Sequence, residues 1–226
     1  MKAMILAAGR GERMRPLTDT LPKPLLPVAG KPLIEHHIER LAAAGVCELV
    51  INQGWLGDKL KAALGDGERW GVQIQWSDEG WPALETGGGI TRALPLLGES
   101  PFLLVNGDVW TDANPGDLIR TISGYAHLYM VENPEHHPGG DFALENQCLS
   151  QQGDEKFTYS GIGIFHPKLF AGCRDEAFRL APLLREAMDR GAVTGSMLPG
   201  SWVDVGTPQR LAALEAYIEC RSTTDV

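Results

Sequence analysis

Three groups of residues in this chain could do chemistry together. Glycines and arginines alternate near its start, in "AAGRGERMR" (7–15). Lys23 follows, held between Pro22 and Pro24. Far downstream, Asp108 in "LLVNGDV" and Asp204 in "SWVDVGTP" are embedded in apolar runs. Backbone N–H groups of a glycine turn can wrap phosphate oxygens. Arg13 and Arg15 can each grip such oxygens with a planar fork. The flanking prolines stiffen the chain around Lys23 and limit where its ammonium can go. Mg²⁺ takes one or two carboxylates together with phosphate oxygens and water, so Asp108 and Asp204 are candidate ligands for one ion. The set suits a polyphosphate held by backbone, cations and metal.

Two familiar phosphate loops do not fit. A Walker A loop needs Gly-Lys-Ser/Thr, and here Gly11 is followed by Glu12. A dinucleotide loop needs a third glycine and an immediate helix. Met14 stands at that third position, and Pro16, Pro22, Pro24 and Pro27 break the next stretch. A long irregular loop of form G-x-G-x-R is predicted instead.

Several elements must position these residues. Residues 2–8 form a continuous apolar run, as in a strand buried on both faces. A helix is predicted over 31–45, with Pro32 in its first turn, Leu33, His37, Leu41 and Ala44 on one face, and Gly45 as its stop. Further strands are expected at 47–52, 72–77 and 102–108, with a short helix at 55–64. Residues 90–98 look helical, although Pro95 is expected to disturb them. This alternation argues for an α/β fold with a doubly wound, mostly parallel, Rossmann-like sheet. In such sheets ligands bind at the carboxyl ends of the strands, where both the opening loop and Asp108 fall. The second half differs. Strands are read at 125–133 and 159–165, a helix at 179–191, and a strand at 201–208 running into a last helix capped by Thr207. The reading is one domain over 1–226, with a first half of about 1–120 and a smaller, partly antiparallel lobe of about 121–226.

Composition narrows the partners. Against 20 lysines and arginines stand 29 acidic residues, a net charge of −9, so no nucleic-acid partner is expected. Cys47, Cys148, Cys173 and Cys220 form no C-x-x-C pair, which argues against structural zinc or a disulfide framework. No apolar run is long enough to cross a bilayer, and the N-terminus lacks the form of a signal peptide, so no membrane partner and a cytoplasmic location are expected. His36, His37, His136 and His137 read as packed or exposed rather than catalytic. Trp81 and Trp110 lie beside the proposed loops.

The segments "LAAGRGERMRPLT", "PKPLLPVAGKPLI", "LETGGGI", "NGD" and "WVDVGTP", in this order, resemble the sugar-phosphate nucleotidylyltransferases over nearly the whole chain. The resemblance implies Mg²⁺ dependence and direct attack of a sugar 1-phosphate on the α-phosphorus of a nucleoside triphosphate, with pyrophosphate released. It assigns Gly9, Gly11, Glu12 and Arg13 to the nucleotide, Lys23 to the signature lysine, and Asp108 and Asp204 to the metal. The implied catalytic set is Arg13, Lys23, Asp108 and Asp204. Asp78 stands where relatives carry a base-reading side chain, often Gln, and Gly87 falls in a loop pressed near the nucleotide. Gly140, Glu155, Lys156 and Gly161 fall at sugar-side positions in the second half. Within the family, "LETGGGI" and "HHPGGDF" most resemble members of peptidoglycan recycling that join UTP to N-acetylmuramate α-1-phosphate. The alternatives are a GTP- or dTTP-dependent mannose- or glucose-1-phosphate enzyme, and a nucleotide-sugar sensor without turnover.

Overall fold

A computed structural model describes residues 1–224. The strands are β1 Ala3–Leu6, β2 Pro27–Val28, β3 Lys31–Pro32, β4 Glu48–Gln53, β5 Gln73–Asp78, β6 Phe102–Asn106, β7 Val109–Thr111, β8 Ala126–Val131, β9 Ala143–Glu145, β10 Cys148–Ser150, β11 Thr158–Phe165, β12 Val193–Met197 and β13 Trp202–Asp204. The helices are α1 Leu33–Ala43, α2 Gly57–Leu64, α3 Glu85–Leu97, α4 Pro115–Leu118, α5 Leu180–Asp189 and α6 Pro208–Thr224.

Nine strands form one sheet in the order β5-β4-β1-β6-β11-β8-β12-β10-β9. Strands β5, β4, β1 and β6 are mutually parallel, as the alternating first half requires. β11 runs against both β6 and β8, while β12 lies parallel to β8. The chain is thus an α/β, Rossmann-like fold on a mixed sheet in which all strands but β11 and β10 share one direction. The partly antiparallel second half is not a detached lobe, because β11 bonds directly to β6 of the first half.

Side-chain alternation explains why the central strands are apolar throughout. Ala3 and Ile5 of β1 face a core shared with Ile34, Ile38 and Leu41 of α1 and Leu60 and Leu64 of α2. Met4 faces the other side, with Ile90, Ala93 and Leu97 of α3 and Leu180 and Leu184 of α5. Each of the leucines, isoleucines and the methionine among these stabilises the fold by about 1.5–3 kcal/mol when fully buried, and the alanines by less. A third cluster ties the opening loop to β7, β13 and α6. Met14, fully buried, meets Trp110, Val205, Leu211 and Leu214 there. The residue that breaks the dinucleotide pattern is therefore the apolar anchor of the loop.

Two expectations about 84–98 are corrected. The helix starts five residues before Ile90 and runs through Pro95 to Leu97. Pro95 is exposed and lies in the last turn, where its missing N–H costs one bond and water reaches the freed carbonyl. The "ETGGG" glycines lie in the first turns of that helix and are not in a loop. A Cβ on Gly87 would overlap the Phe178 ring, one on Gly88 the Glu176 carbonyl, and one on Gly89 the Glu79 carboxylate. Close packing outweighs the helix penalty of glycine at these positions.

Candidate active site

The opening loop leaves β1 at the carboxyl edge of the sheet. Gly11 adopts φ +67°, and a Cβ there would lie 3.1 Å from Thr18 Cγ2 and 3.2 Å from Lys23 Cβ. The glycine thus lets the turn lie directly on the Lys23 stem. Buried Thr18 fixes the turn through its hydroxyl, which donates to the Gly11 carbonyl at 2.9 Å. Among the described residues, the N–H groups of Ala8, Gly9, Arg10, Gly11 and Glu12 have no protein acceptor. Such a run of unclaimed donors is suited to an anion.

Lys23 is 7% exposed, and its Nζ meets Asp108 Oδ2 at 2.8 Å. Asp108 is brought here by the end of β6. Gly107 allows it, since a Cβ there would sit 2.5 Å from the Leu6 carbonyl of β1. Asp204 arrives from β13, which pairs antiparallel with β7 in the register Asp204 to Val109. The Val205 N–H donates to the Asp108 carbonyl at 2.8 Å, so the two aspartates lie on neighbouring stretches of backbone. Asp204 Oδ2 takes Arg210 Nη1 at 3.1 Å and His136 Nε2 at 3.2 Å. Arg210 is aimed back by the start of α6, where Thr207 Oγ1 accepts its N–H as expected of a cap. Gly206 makes room: a Cβ there would overlap Arg210 and come within 2.8 Å of Asp204 Oδ1 and 3.1 Å of Arg13 Nη2.

A cavity of about 370 Å³ opens beside these groups, lined by Gly9, Gly11, Glu12, Arg13, Lys23 and Asp108, and by Gly206; Asp204, Arg210 and His136 lie at its edge and are not part of its wall. Its wall also holds residues that sequence reasoning passed over: Asn52, Glu79, Thr86 and Asn106. Asn52 Oδ1 accepts the Ala7 N–H at 2.6 Å, and its Nδ2 donates to Glu79 Oε1 at 2.5 Å. Glu79 Oε2 accepts the Leu84 N–H at 2.7 Å. Burial pushes the Glu79 carboxyl above the ordinary range, partly offset by the Leu84 and Asn52 hydrogen bonds. This buried chain of bonds ties the ends of β1, β4 and β5 to the approach to α3. The available signal was a polar residue at the carboxyl end of each strand, Asn52 in "INQG" and Glu79 in "SDEG".

Other expected residues lie outside that wall. Asp78 is exposed and turns back to accept the Gly80 N–H at 2.9 Å. The neighbouring Glu79 lines the cavity instead, because successive strand side chains point to opposite faces. Gly87 faces Phe178 and not the cavity. On the second half, Gly140 at φ +59° presses on the Lys156 carbonyl and Asn133, so it is a turn glycine with no open space above it. Gly161, at φ +79°, packs against the side chain of Asn106. Glu155 is exposed and Lys156 half-buried, neither of them on the cavity wall. His37 is buried with Nε2 on the Val109 carbonyl, Trp110 is core, and Trp81 is exposed against Trp55 at 5.5 Å.

Comparison with known proteins places this geometry. Residues 2–142 match the Nucleotidyl transferase family. The chain is 52% identical over 225 residues to an N-acetylmuramate alpha-1-phosphate uridylyltransferase of Neisseria meningitidis serogroup B, covering 96% of this chain and 97% of that one. A protein of the same name from Caulobacter vibrioides is 38% identical over 233 residues, with 96% of each covered. A crystal structure described as a glucose-1-phosphate thymidylyltransferase from Bacillus anthracis superposes with a TM-score of 0.86 at 20% identity, over 96% of this chain and 94% of that one, and so shares the fold. No helix among the described residues is long and apolar enough to cross a membrane. By the matched span and by relatives aligned over nearly their full length, the chain belongs to the nucleotidyl transferase family.

Proposed function

We propose that the protein transfers the uridylyl group of UTP to N-acetylmuramate α-1-phosphate, giving the UDP-sugar and pyrophosphate. The observation that carries the transfer chemistry is the convergence of unclaimed loop N–H groups with buried Lys23 and its partner Asp108, which is open to the cavity. The relative from Neisseria, aligned over nearly its whole length, supports the choice of substrates. On this reading residues of about 1–120 hold the nucleotide, and residues of about 121–226 complete the acceptor side.

The residues present fit Mg²⁺. Asp108 and Asp204 offer hard oxygen donors, and each uses only Oδ2 in its ion pairs, leaving Oδ1 without a partner among the described residues. Bound to them, Mg²⁺ would supply positive charge and a template for phosphate oxygens. The chain's own residues do the rest. Backbone N–H groups of 8–12 hold the triphosphate. Arg13 and Lys23 offset charge growing at the α-phosphoryl group and on the leaving pyrophosphate. One acceptor phosphate oxygen bonds to the α-phosphorus while the bond from that phosphorus to the bridging oxygen breaks. No general base is required, because a sugar phosphate is already ionised near neutral pH. Holding both anions in line is therefore the main task.

The test is pyrophosphate release from UTP, GTP and dTTP, each against the 1-phosphates of N-acetylmuramate, N-acetylglucosamine, glucose and mannose. The highest kcat/KM is expected for UTP with N-acetylmuramate 1-phosphate. Equal or better turnover of glucose or mannose 1-phosphate would overturn the acceptor and leave the transfer reaction standing.

A further inference from the structure

The loop between β8 and β9 carries two adjacent histidines that face different partners. His137 turns inward, its Nε2 meeting Asp141 Oδ1 at 3.1 Å while Asp141 Oδ2 accepts the Tyr159 N–H at 2.8 Å. Asn133 pins the other flank. Its Oδ1 accepts from Thr158 Oγ1 at 2.9 Å and its Nδ2 donates to the Lys156 carbonyl at 2.7 Å. The loop is thus tied to β11 and the segment before it on both sides of His136. That ring extends outward, 41% exposed, and reaches Asp204 Oδ2 at 3.2 Å across 68 residues of sequence. Arg210 takes the same oxygen at 3.1 Å.

A carboxylate held by one donor can still swing about its last bond. A hydrogen bond from His136 and an ion pair with Arg210, from different elements and both on Oδ2, restrict its plane and leave Oδ1 facing away from them. We infer that His136 is a positioning residue: with Arg210 it holds the Asp204 carboxylate so that Oδ1 is presented to the cation, and it makes the 132–141 loop part of that arrangement. Partners that orient a metal-binding carboxylate in this way commonly govern metal affinity. The contact needs only an Nε2–H donor and no change of charge. The inference rests on the reading of Asp204 as a Mg²⁺ ligand.

The experiment uses the full chain and three variants, His136→Ala, His136→Gln and Asp204→Asn. UTP binding is followed by calorimetry in EDTA and at stepped Mg²⁺ concentrations, and thermal melting checks the fold. His136→Ala is expected to raise the Mg²⁺ concentration for half-maximal UTP binding by about 10-fold or more. UTP binding in EDTA and the melting temperature should not move, since the ring is exposed and packs on no core. His136→Gln, which keeps an N–H donor, should recover most of the loss. Wild-type Mg²⁺ dependence in His136→Ala, alongside a clear shift in Asp204→Asn, overturns the inference alone. An unshifted Asp204→Asn overturns the metal reading and the inference with it.

Discussion

Lys23 shows how much one side chain is asked to do. A buried ammonium is costly unless paired, and Asp108 supplies the pair at 2.8 Å. The ammonium sits beneath the glycine turn, which lies on its stem. Lys23→Ala is expected to lower kcat by about 10²-fold or more, the scale of losing one preorganised electrostatic stabiliser. KM for UTP should change far less, and steady-state kinetics separates the two. An intact kcat with a raised KM would demote Lys23 to plain binding. Arg13 has no carboxylate partner among the described residues, and its guanidinium lies near Gly206. Arg13→Lys should reduce kcat/KM although the charge is kept, because an ammonium cannot reproduce the two-pronged fork. An unchanged kcat/KM would show that only charge matters there. These residues were legible because their types and prolines restrict what they can do. That Glu79 and not Asp78 lines the cavity was not, since a one-residue step along an extended chain moves a side chain to the other face.

At the scale of elements, the site depends on where β13 ends and α6 begins. The sequence marks this junction clearly: Thr207 caps, Pro208 starts the helix, and Gly206 precedes both. Why Gly206 must be glycine is visible only when Arg13 comes within reach from the other end of the chain. Gly206→Ala should crowd Arg210, Asp204 and Arg13 at once. A displacement near 1 Å can cost on the order of 10²-fold in rate. We expect a loss of that order in kcat/KM, with circular dichroism unchanged; full activity would show that the three groups can shift freely. The α3 helix carries the opposite lesson. Three glycines and a proline argue against helix locally, yet the segment is helical, and the glycines stand where Phe178, Glu176 and Glu79 leave no space for side chains. Intrinsic propensity lost to packing.

Across the whole molecule, among the described residues, burial lowers the pKa of four histidines, His36, His37, His127 and His166, and it moves His37 and His127 furthest. Burial lowers His37 to about 4, the Val109 carbonyl offsetting part of this, and burial with nearby Arg120 lowers His127 to about 4. Unfolded histidine binds its proton near 6.5. Between about 6.5 and 4 the unfolded chain therefore holds more protons, and stability falls as pH falls through that window. Urea midpoints measured from pH 7 to pH 4 should decline, and His37→Gln should flatten part of the slope. A flat profile in the parent protein would show that neither ring is held neutral. Sequence alone was enough for the alternating α/β order and the parallel first half, and it singled out the opening loop, Lys23, Asp108 and Asp204, which the fold brings to one edge of the sheet. Each of these follows from periodicity, from breaker residues, or from resemblance carried by motifs in order. Three features needed the folded chain to be seen: β11 joins the two halves into one sheet, Glu79 and Asn52 wall the cavity, and His136 reaches Asp204. Those are contacts between residues 27 to 68 positions apart, or pairings between distant strands. Local sequence fixes which faces are apolar, but which distant polar groups meet depends on the packing of the whole chain.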